Sequence, residues 1–275
     1  MDHQYHRGVN APDTLERLIP EQVGDEDSAA TESLDLHFDR YEFAATQAGM
    51  GPLLDIACGV GYGTRLLAER RLDLRDLTGV DISRQAIGYA REHYANVPDE
   101  EDVSADSKPS QNGSSGIGQI RFLEQDATTY GGDGPQSMTY GTIVSLETIE
   151  HLPEPEAFFA RLVGMLAPGG VLIGSVPVTM SVDLNPHHLH DFTERTFRRM
   201  GERNGLVEVA SHTQIQRARI RDLWGSERRF RRENLRQDLL AYYASHPGQF
   251  LKRVATTLRW GLANRYLTIA WKKGE

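Results

Sequence analysis

The sequence is poor in cysteine and contains no long apolar run. One cysteine, Cys58, occurs in 275 residues, and a single thiol cannot form an internal disulfide, which is typical of a reducing compartment. No segment approaches the roughly eighteen consecutive apolar residues of a membrane-spanning helix, and the N-terminus, Met1–His6, does not resemble a signal peptide. We therefore expect a soluble, cytoplasmic protein in which Cys58 is a small buried apolar side chain.

The chain also lacks an excess of basic residues. It contains 30 Lys and Arg against 39 Asp and Glu, which gives a net charge of −9. General affinity for nucleic acids requires a basic field over the binding face. We therefore expect no nucleic-acid partner.

Basic residues are nevertheless concentrated near the C-terminus, from Arg217 to Lys273. The densest run, Arg228–Arg232, could meet an anionic substrate, a membrane surface or an acidic patch of another subunit, so peripheral membrane contact and oligomer formation stay open. A solvated helix face explains the same run without a partner. Residues 250–262 fit either a helical insertion or an amphipathic basic helix lying on a membrane.

The most informative segment is an apolar strand, Leu53–Ile56, that runs into glycines at positions 59, 61 and 63 and then into a helix. Glycines are needed where a turn takes a positive φ or where a ligand approaches the backbone closely. A dinucleotide site has the spacing G-x-G-x-x-G, whereas here the third glycine comes one residue early and Asp55 precedes the first. A carboxylate would repel a pyrophosphate, but it suits a ligand with an ammonium group and a sulfonium, such as S-adenosylmethionine.

Two further acids follow predicted strands. Asp81 lies in Gly79–Ser83, about twenty residues after the glycine loop, where a carboxylate can accept hydrogen bonds from both ribose hydroxyls of an adenosine. Asp126 follows a third strand that begins at Ile120. Three such motifs in this order predict one adenosine-binding site.

With these motifs, from about Leu53 to about Val209, the chain resembles the class I S-adenosylmethionine-dependent methyltransferases. The resemblance implies that Asp126 lies near the adenine amino group and that an Arg-Tyr pair, here Arg40 and Tyr41, closes over the methionine end. The cofactor-binding residues implied in this way are Arg40, Tyr41, Asp55, Ala57, Gly59, Gly61, Asp81, Ile82, Asp126, Ala127 and Leu146.

Strands and helices alternate along the chain, and the strands are nearly continuously apolar, which predicts an α/β fold with a parallel sheet covered on both faces. We expect a Rossmann-like, mostly parallel seven-stranded sheet. A helix that starts at Pro153 or Pro155 and includes Leu166 should end at Pro168–Gly170. The later elements are predicted as strand 171–176, helix 194–204, strand 206–210 and last strand 266–271.

The expected organisation has four parts. Residues 1–50 form an N-terminal helical lid, and 51–212 form the cofactor-binding domain, with a disordered polar insertion at 98–118. Residues 213–265 form a basic helical insertion, and 266–275 contain the last strand.

The segment after the fourth strand, Gly141–Ser145, carries the pattern E-x-x-E-H in Glu147, Glu150 and His151. A single helical turn would place the three side chains on one face, where two carboxylates and an imidazole make either a metal site or a repelling cluster. The alternative is a helix N-terminus that favours acids, with His151 as a neutral hydrogen-bonding residue.

A second polar cluster spans 185–193 and contains His187, His188, His190 and Asp191. With the first cluster it is similar to small-RNA 2′-O-methyltransferases, and the first cluster alone to ubiquinone-pathway O-methyltransferases, where such residues hold a divalent ion. The second most resembles the N-P-x-H-x-x-E-F pattern of methyltransferases that act on polysaccharides or sugar precursors. That pattern makes His188 the shared histidine and Asp191 the shared acid, and gives His187 and His190 no counterpart.

We therefore predict an O-methyltransferase that acts on a sugar or oligosaccharide hydroxyl. Glu147, Glu150, His151 and His188 would hold Mg²⁺, with Mn²⁺ or Zn²⁺ as alternatives; without a metal, His151 or His188 would act as general base. The predicted catalytic residues are His151, His188 and Glu147. The alternatives are a phenol, quinone or other small metabolite as acceptor, RNA 2′-O-methylation, and a cofactor-binding protein without catalysis.

Overall fold

A computed structural model describes residues 19–20, 28–74, 76–96, 120–131, 139–217, 236, 238–261 and 263–274. Its strands form one seven-stranded sheet in the order β3-β2-β1-β4-β5-β7-β6. The first five strands run parallel, and β7 is antiparallel to both β5 and β6. The strands are β1 Leu53–Ile56, β2 Leu77–Asp81, β3 Arg121–Glu124, β4 Tyr140–Leu146, β5 Leu166–Pro177, β6 Leu206–Arg217 and β7 Ala263–Lys273.

Helices cover both faces of this sheet, which confirms the predicted fold class. Side chains at successive positions of a strand point to opposite faces, and the core is accordingly divided into two clusters. One contains Leu54, Ile143 and Leu172, and the other contains Leu53 and Val144. The helices are α1 Ser28–Gln47, α2 Tyr62–Arg70, α3 Arg84–Tyr94, α4 Pro155–Met165, α5 Glu194–Arg203, α6 Leu239–Ser245 and α7 Pro247–Trp260.

Local signals place several boundaries where the sequence predicts them. Ser83 caps α3, because its hydroxyl accepts a hydrogen bond from the amide of Ala86. Pro155 occupies the first turn of α4, where the missing N–H has no helical partner to lose. Within the described residues no helix is long and apolar enough to cross a membrane.

Three predicted boundaries are wrong. Helix α4 ends at Met165, and Leu166 already pairs with Tyr140 in the sheet, so Pro168–Gly170 forms an irregularity inside β5 rather than a helix end. Strand β6 continues from the predicted Ala210 to Arg217, and β7 begins at Ala263 rather than Tyr266. Antiparallel pairing of these two strands stabilises polar residues that have little strand signal of their own.

The predicted basic insertion 213–265 is therefore shorter than expected, because residues 213–217 and 263–265 belong to strands. Helices α6 and α7 lie within it. The predicted disordered insertion 98–118 and the arginine run Arg228–Arg232 lie outside the described residues.

Candidate active site

The candidate site lies at the carboxyl edge of three adjacent parallel strands, β2, β1 and β4. The chain order reverses between β1 and β4, and ligands of open α/β sheets bind at such a switch point. The glycine loop follows β1, Asp81 ends β2, and Leu146 ends β4. These residues come from distant parts of the sequence, and the parallel pairing brings them to one edge.

The glycines of the loop have different functions. Gly59 has φ 58°, and a Cβ added there would meet nothing within 4 Å, so its face is open to a ligand. A Cβ on Gly61, which has φ 89°, would lie 2.7 Å from Ala90 and 2.8 Å from Phe122. A Cβ on Gly63 would lie 2.0 Å from the Tyr41 ring. Only the Cβ position of Gly59 is therefore open to a ligand, whereas Gly61 and Gly63 allow close packing.

Asp55 is buried and hydrogen-bonded inside the protein. Its carboxylate accepts a bond from Thr64 Oγ1 at 2.6 Å and from the Tyr41 hydroxyl at 3.2 Å. Burial raises the pKa of Asp55 to about 7, the nearby Asp81 charge adds to the rise, and the bonds from Thr64 and Tyr41 oppose it. The sequence analysis missed Thr64, although it directly follows Gly63.

Asp81 organises the loop. One of its oxygens accepts the Gly59 amide and the other the Ser83 amide, both at 2.9 Å. These two bonds fix the Asp81 carboxylate at the carboxyl end of β2, beside the glycine loop. Ile82 beside it is 60% exposed, which is unusual for an isoleucine at the end of a buried strand.

The other implied cofactor residues surround this edge. Asp126 is exposed, and its carboxylate accepts bonds from the amide and hydroxyl of Thr128 at 2.8 and 2.7 Å. Ala127 and Leu146 are buried, and Ala57 has a positive φ of 61° at the start of the loop. All four lie in or directly after elements that end at the same edge as Gly59.

Arg40 lies almost entirely inside the protein, 1% exposed. Its Nε donates to Gln214 Oε1 at 2.8 Å, and its guanidinium lies over the Tyr266 ring at 4.4 Å. Its Nη1 lies 3.9 Å from Glu147 Oε1 and has no hydrogen-bond partner among the described residues. Arg40 thus presents a donor at the carboxyl edge of the sheet.

Glu147 does not share a helical turn with Glu150 and His151, so that prediction is wrong. Its φ of 47° places it in the left-handed region, before a 3₁₀-helix that contains only Ile149–His151. Its Oε1 accepts a hydrogen bond from Ser175 Oγ at 2.7 Å. The Glu147 carboxylate thus contacts Ser175 and Arg40, and it does not belong to the cluster of potential metal ligands that includes Glu150.

Glu150, His151 and His188 do come together. One ligand atom from each lies within 4.8 Å of the others. His151 Nδ1 lies 3.1 Å from the His187 carbonyl, which can only accept, so Nδ1 carries a proton. His151 Nε2 lies 4.0 Å from Glu150 Oε1, and the two histidine rings pack edge to face.

The remaining polar residues of the 185–193 segment hold its shape. The Glu150 carbonyl accepts the amides of Leu189 and His190, which fastens the segment to the 3₁₀-helix.

The His190 ring bonds the Leu152 carbonyl at 3.0 Å, and Asp191 accepts the amides of Ser181 and Val182. His187 contributes its carbonyl to His151, so His187 and His190 have positioning contacts that no sequence pattern indicated.

A family model described as "Methyltransferase domain" matches residues 11–217. This chain belongs to that family. The family match and the fold support the prediction of a methyltransferase that the glycine loop gave.

Curated relatives share this region at low identity. The chain is 23% identical to a ubiquinone biosynthesis O-methyltransferase of Aeromonas salmonicida, over 56% of this chain and 62% of that protein. It is 26% identical to a trans-aconitate 2-methyltransferase of Sinorhizobium medicae, over 48% of this chain and 40% of that protein. The chain thus spans less than two thirds of either relative.

Solved structures show the same fold. A putative methyltransferase of Bacillus halodurans superposes with a TM-score of 0.59 at 14% identity, covering 86% of this chain and 99% of that one. An N-methyltransferase of Bradyrhizobium japonicum, in complex with S-adenosyl-L-homocysteine, gives 0.52 at 15% identity, covering 91% and 90%. These likenesses establish the fold, and the acceptor is a separate question.

Proposed function

We propose that this methyltransferase transfers the methyl group to a hydroxyl of a sugar or oligosaccharide. The observation that carries the proposal is the Glu150–His151–His188 cluster, next to the edge where the glycine loop opens. A hydroxyl is a weak nucleophile at neutral pH and needs help to lose its proton. The resemblance of Asn185–Phe192 to the pattern of sugar methyltransferases favours a sugar over other alcohols.

The cofactor would be held by the residues at the strand ends. Asp81 would accept the ribose hydroxyls, and the open face of Gly59 would lie against the nucleoside. Arg40 Nη1 would donate to the methionine carboxylate, because this buried nitrogen lacks a hydrogen-bond partner among the described residues and a charge-assisted bond to an anion is strong. Asp55 would favour the cationic donor through its charge rather than by direct contact, since Tyr41 and Thr64 cover its carboxylate.

His151 is the best placed general base. Its Nδ1 is fixed by the His187 carbonyl, which leaves Nε2 in the accepting form that removes a proton. Glu150, 4.0 Å away, would stabilise the imidazolium that results. General-base catalysis contributes about 10²–10⁴-fold to the reaction rate. Positioning of the hydroxyl against the sulfonium supplies the remaining acceleration.

The same three side chains also fit a divalent ion, because one carboxylate and two imidazoles converge within 4.8 Å. Since Mg²⁺ prefers oxygen ligands, this set suits Mn²⁺ or Zn²⁺ better than the Mg²⁺ expected from the sequence. Glu150, His151 and His188 would hold the ion, and Glu147 stays with Arg40 and Ser175. A bound ion would lower the pKa of the acceptor hydroxyl.

A phenol or quinol is the second candidate acceptor. The observation that favours it is the relative named as a ubiquinone biosynthesis O-methyltransferase. A phenol is more acidic than a sugar hydroxyl and depends less on a base, so the two candidates differ in how strongly activity should depend on His151.

The test is methyl transfer from labelled S-adenosylmethionine to a panel of oligosaccharides, phenols and quinols. We expect transfer to an oligosaccharide, a loss of about 10²-fold or more in His151→Asn, and near-normal activity in the matched control His93→Asn, an exposed histidine in the last turn of α3. Calorimetric titration with S-adenosylhomocysteine should show unchanged cofactor affinity in both variants. Transfer only to phenols would replace the sugar proposal with the second candidate.

Chelation separates the two catalytic versions. Full activity in EDTA would support His151 as the general base. Loss of activity in EDTA, with recovery on adding Mn²⁺ or Zn²⁺, would support the metal version. Equal activity of His151→Asn and wild type under both conditions would contradict both versions.

A further inference from the structure

Helix α7 has its apolar side turned toward solvent. Leu251 is 68% exposed and Leu258 83% exposed, and Phe250 and Val254 on the same side are exposed as well. These four residues lie on one face at helical spacing, and we call them the outer face. The half-buried side chains of α7 are instead polar, namely Gln249, Arg253, Thr256 and Thr257.

A buried ion pair fixes this orientation. Asp183, in the loop after β5, is inaccessible to solvent and pairs with Arg253 through both carboxylate oxygens. Arg253 also donates to the Met180 carbonyl at 2.8 Å, and Tyr243 of α6 donates to the same Asp183. Because an unpaired buried charge is costly, α7 cannot rotate to bury its leucines without losing these contacts.

The exposed apolar surface extends beyond α7. Leu240 in α6 is 87% exposed, and neither α6 nor α7 has a fully buried residue. Trp260, at the end of α7, is 43% exposed, and its ring contacts the guanidinium groups of Arg259 and Arg265. Concentrations of exposed large apolar side chains mark binding surfaces.

The charged residues of helix α7 are all basic. Helix α7 carries Lys252, Arg253 and Arg259 and no acid, and α6 carries no charge. Lys252 and Arg259 are exposed. Viewed along the helix axis, they lie side by side at one border of the outer face. Over positions 217–261 the sequence contains 11 Lys and Arg against 4 Asp and Glu, in a chain whose net charge is −9.

We propose that the outer face of α7 docks on a membrane surface that contains anionic lipids. An apolar face bordered by Lys, Arg and Trp matches the boundary between headgroups and acyl chains, where the leucines enter and the cations meet phosphate. A second copy of the chain is a poorer occupant, since a twofold contact would bring Lys252 and Arg259 of both copies together. The surface is independent of the catalytic cluster, so the proposal does not rest on the acceptor.

The docking helix is nevertheless joined to the candidate site. Asp183 belongs to the loop that also presents Ser181, whose hydroxyl lies 2.7 Å from His188 Nδ1. Contact with a membrane at α7 would therefore bring this loop, which bonds His188, toward the lipid surface.

The test is co-sedimentation of the full chain with vesicles of phosphatidylcholine alone, or with about 30% phosphatidylglycerol. We expect binding to the anionic vesicles that weakens with salt, and little binding to the neutral ones. Leu251→Glu/Leu258→Glu should reduce the partition by about tenfold or more. The matched control, Val207→Glu/Val209→Glu, changes two exposed apolar residues of β6 by the same charge and should bind like wild type.

A second variant separates charge from apolar contact. Lys252→Gln/Arg259→Gln should weaken binding to anionic vesicles about tenfold and leave thermal stability unchanged. Equal binding of wild type and Leu251→Glu/Leu258→Glu, or no vesicle binding at all, would overturn the proposal. So would a dimer, measured by light scattering, that dissociates in the leucine variant, because the face would then be covered by a second copy.

Discussion

Arg40 and Gln214 are hydrogen-bonded across 174 positions of sequence, with Arg40 Nε donating to Gln214 Oε1 at 2.8 Å. The Gln214 amide nitrogen donates to the Leu36 carbonyl and to Asp39, so the amide has one possible orientation. Strand β6 thereby holds the guanidinium of α1 with Nη1 directed toward Glu147. Gln214, in the edge strand β6, therefore positions the Arg40 guanidinium at the candidate site.

Gln214→Leu removes this support while keeping the approximate volume. The buried Arg40 Nε then loses its acceptor, and we expect a loss of about 1–3 kcal/mol in the free energy of unfolding, together with weaker binding of S-adenosylhomocysteine. Urea denaturation and calorimetric titration measure the two effects. Gln47→Leu, at the end of α1, changes a glutamine that bonds its neighbour Thr46 instead and is the matched control. Equal affinities of the two variants would contradict a positioning role for Gln214.

Asp55 predicts a pH dependence of stability. Its pKa is raised to about 7, first by burial, above the value of about 3.9 in an unfolded chain. The folded state therefore binds more protons between about pH 4 and pH 7, so this group makes the free energy of unfolding fall as the pH rises through that range. Asp55→Asn should remove this part of the decline. Unfolding in urea at several pH values checks it, and an unchanged slope in the variant would contradict the raised pKa.

The loop glycines predict separable effects. Gly61→Ala adds a Cβ within 2.8 Å of Phe122 at a positive φ and should destabilise the fold by about 2 kcal/mol or more. Gly59→Ala meets no atom, so it should cost only about 1–2 kcal/mol of backbone strain and mainly reduce cofactor affinity. Thermal unfolding and titration with S-adenosylhomocysteine separate the two. If Gly61→Ala lowered the affinity for S-adenosylhomocysteine more than Gly59→Ala did, relative to the stability that each variant loses, Gly61 rather than Gly59 would be the glycine that the cofactor approaches.

The Asp183–Arg253 pair predicts that α7 is held by charge. Burial alone would raise the pKa of Asp183, but hydrogen bonds from Arg253 and Tyr243 outweigh it and hold the pKa below its usual value. Arg253→Met leaves a buried carboxylate without its main partner, and we expect a loss of about 3–5 kcal/mol in the free energy of unfolding. Asp183→Asn/Arg253→Met removes both charges and should recover much of that loss. Equal losses in the single and double variants, measured in urea, would show that the two charges are not coupled.

Local features of the site could be predicted from the sequence. The glycine loop after β1 and the Ser83 cap of α3 depend on backbone and side-chain preferences within a few residues. The strand ends at Asp81 and Leu146 follow from apolar runs, and parallel pairing then brings them to one edge. For this reason the family, the fold class and the cofactor could all be inferred before any coordinates.

Features that depend on long-range pairing could not be predicted. The left-handed turn at Glu147 separates it from Glu150 and His151, although a helical turn was expected from their spacing. The seven extra residues of β6 carry little strand preference and are ordered by their pairing with β7.

The sequence by itself determined which chemistry is available: a turn that admits a cofactor, acids after strands, and a supply of histidines. The tertiary structure alone decided that Glu147 lies outside the cluster of Glu150, His151 and His188 and that Arg40 meets Gln214. The physical reason is that local preferences act over a few residues, whereas these contacts are created when distant segments pack against one sheet and exclude water from the charges between them.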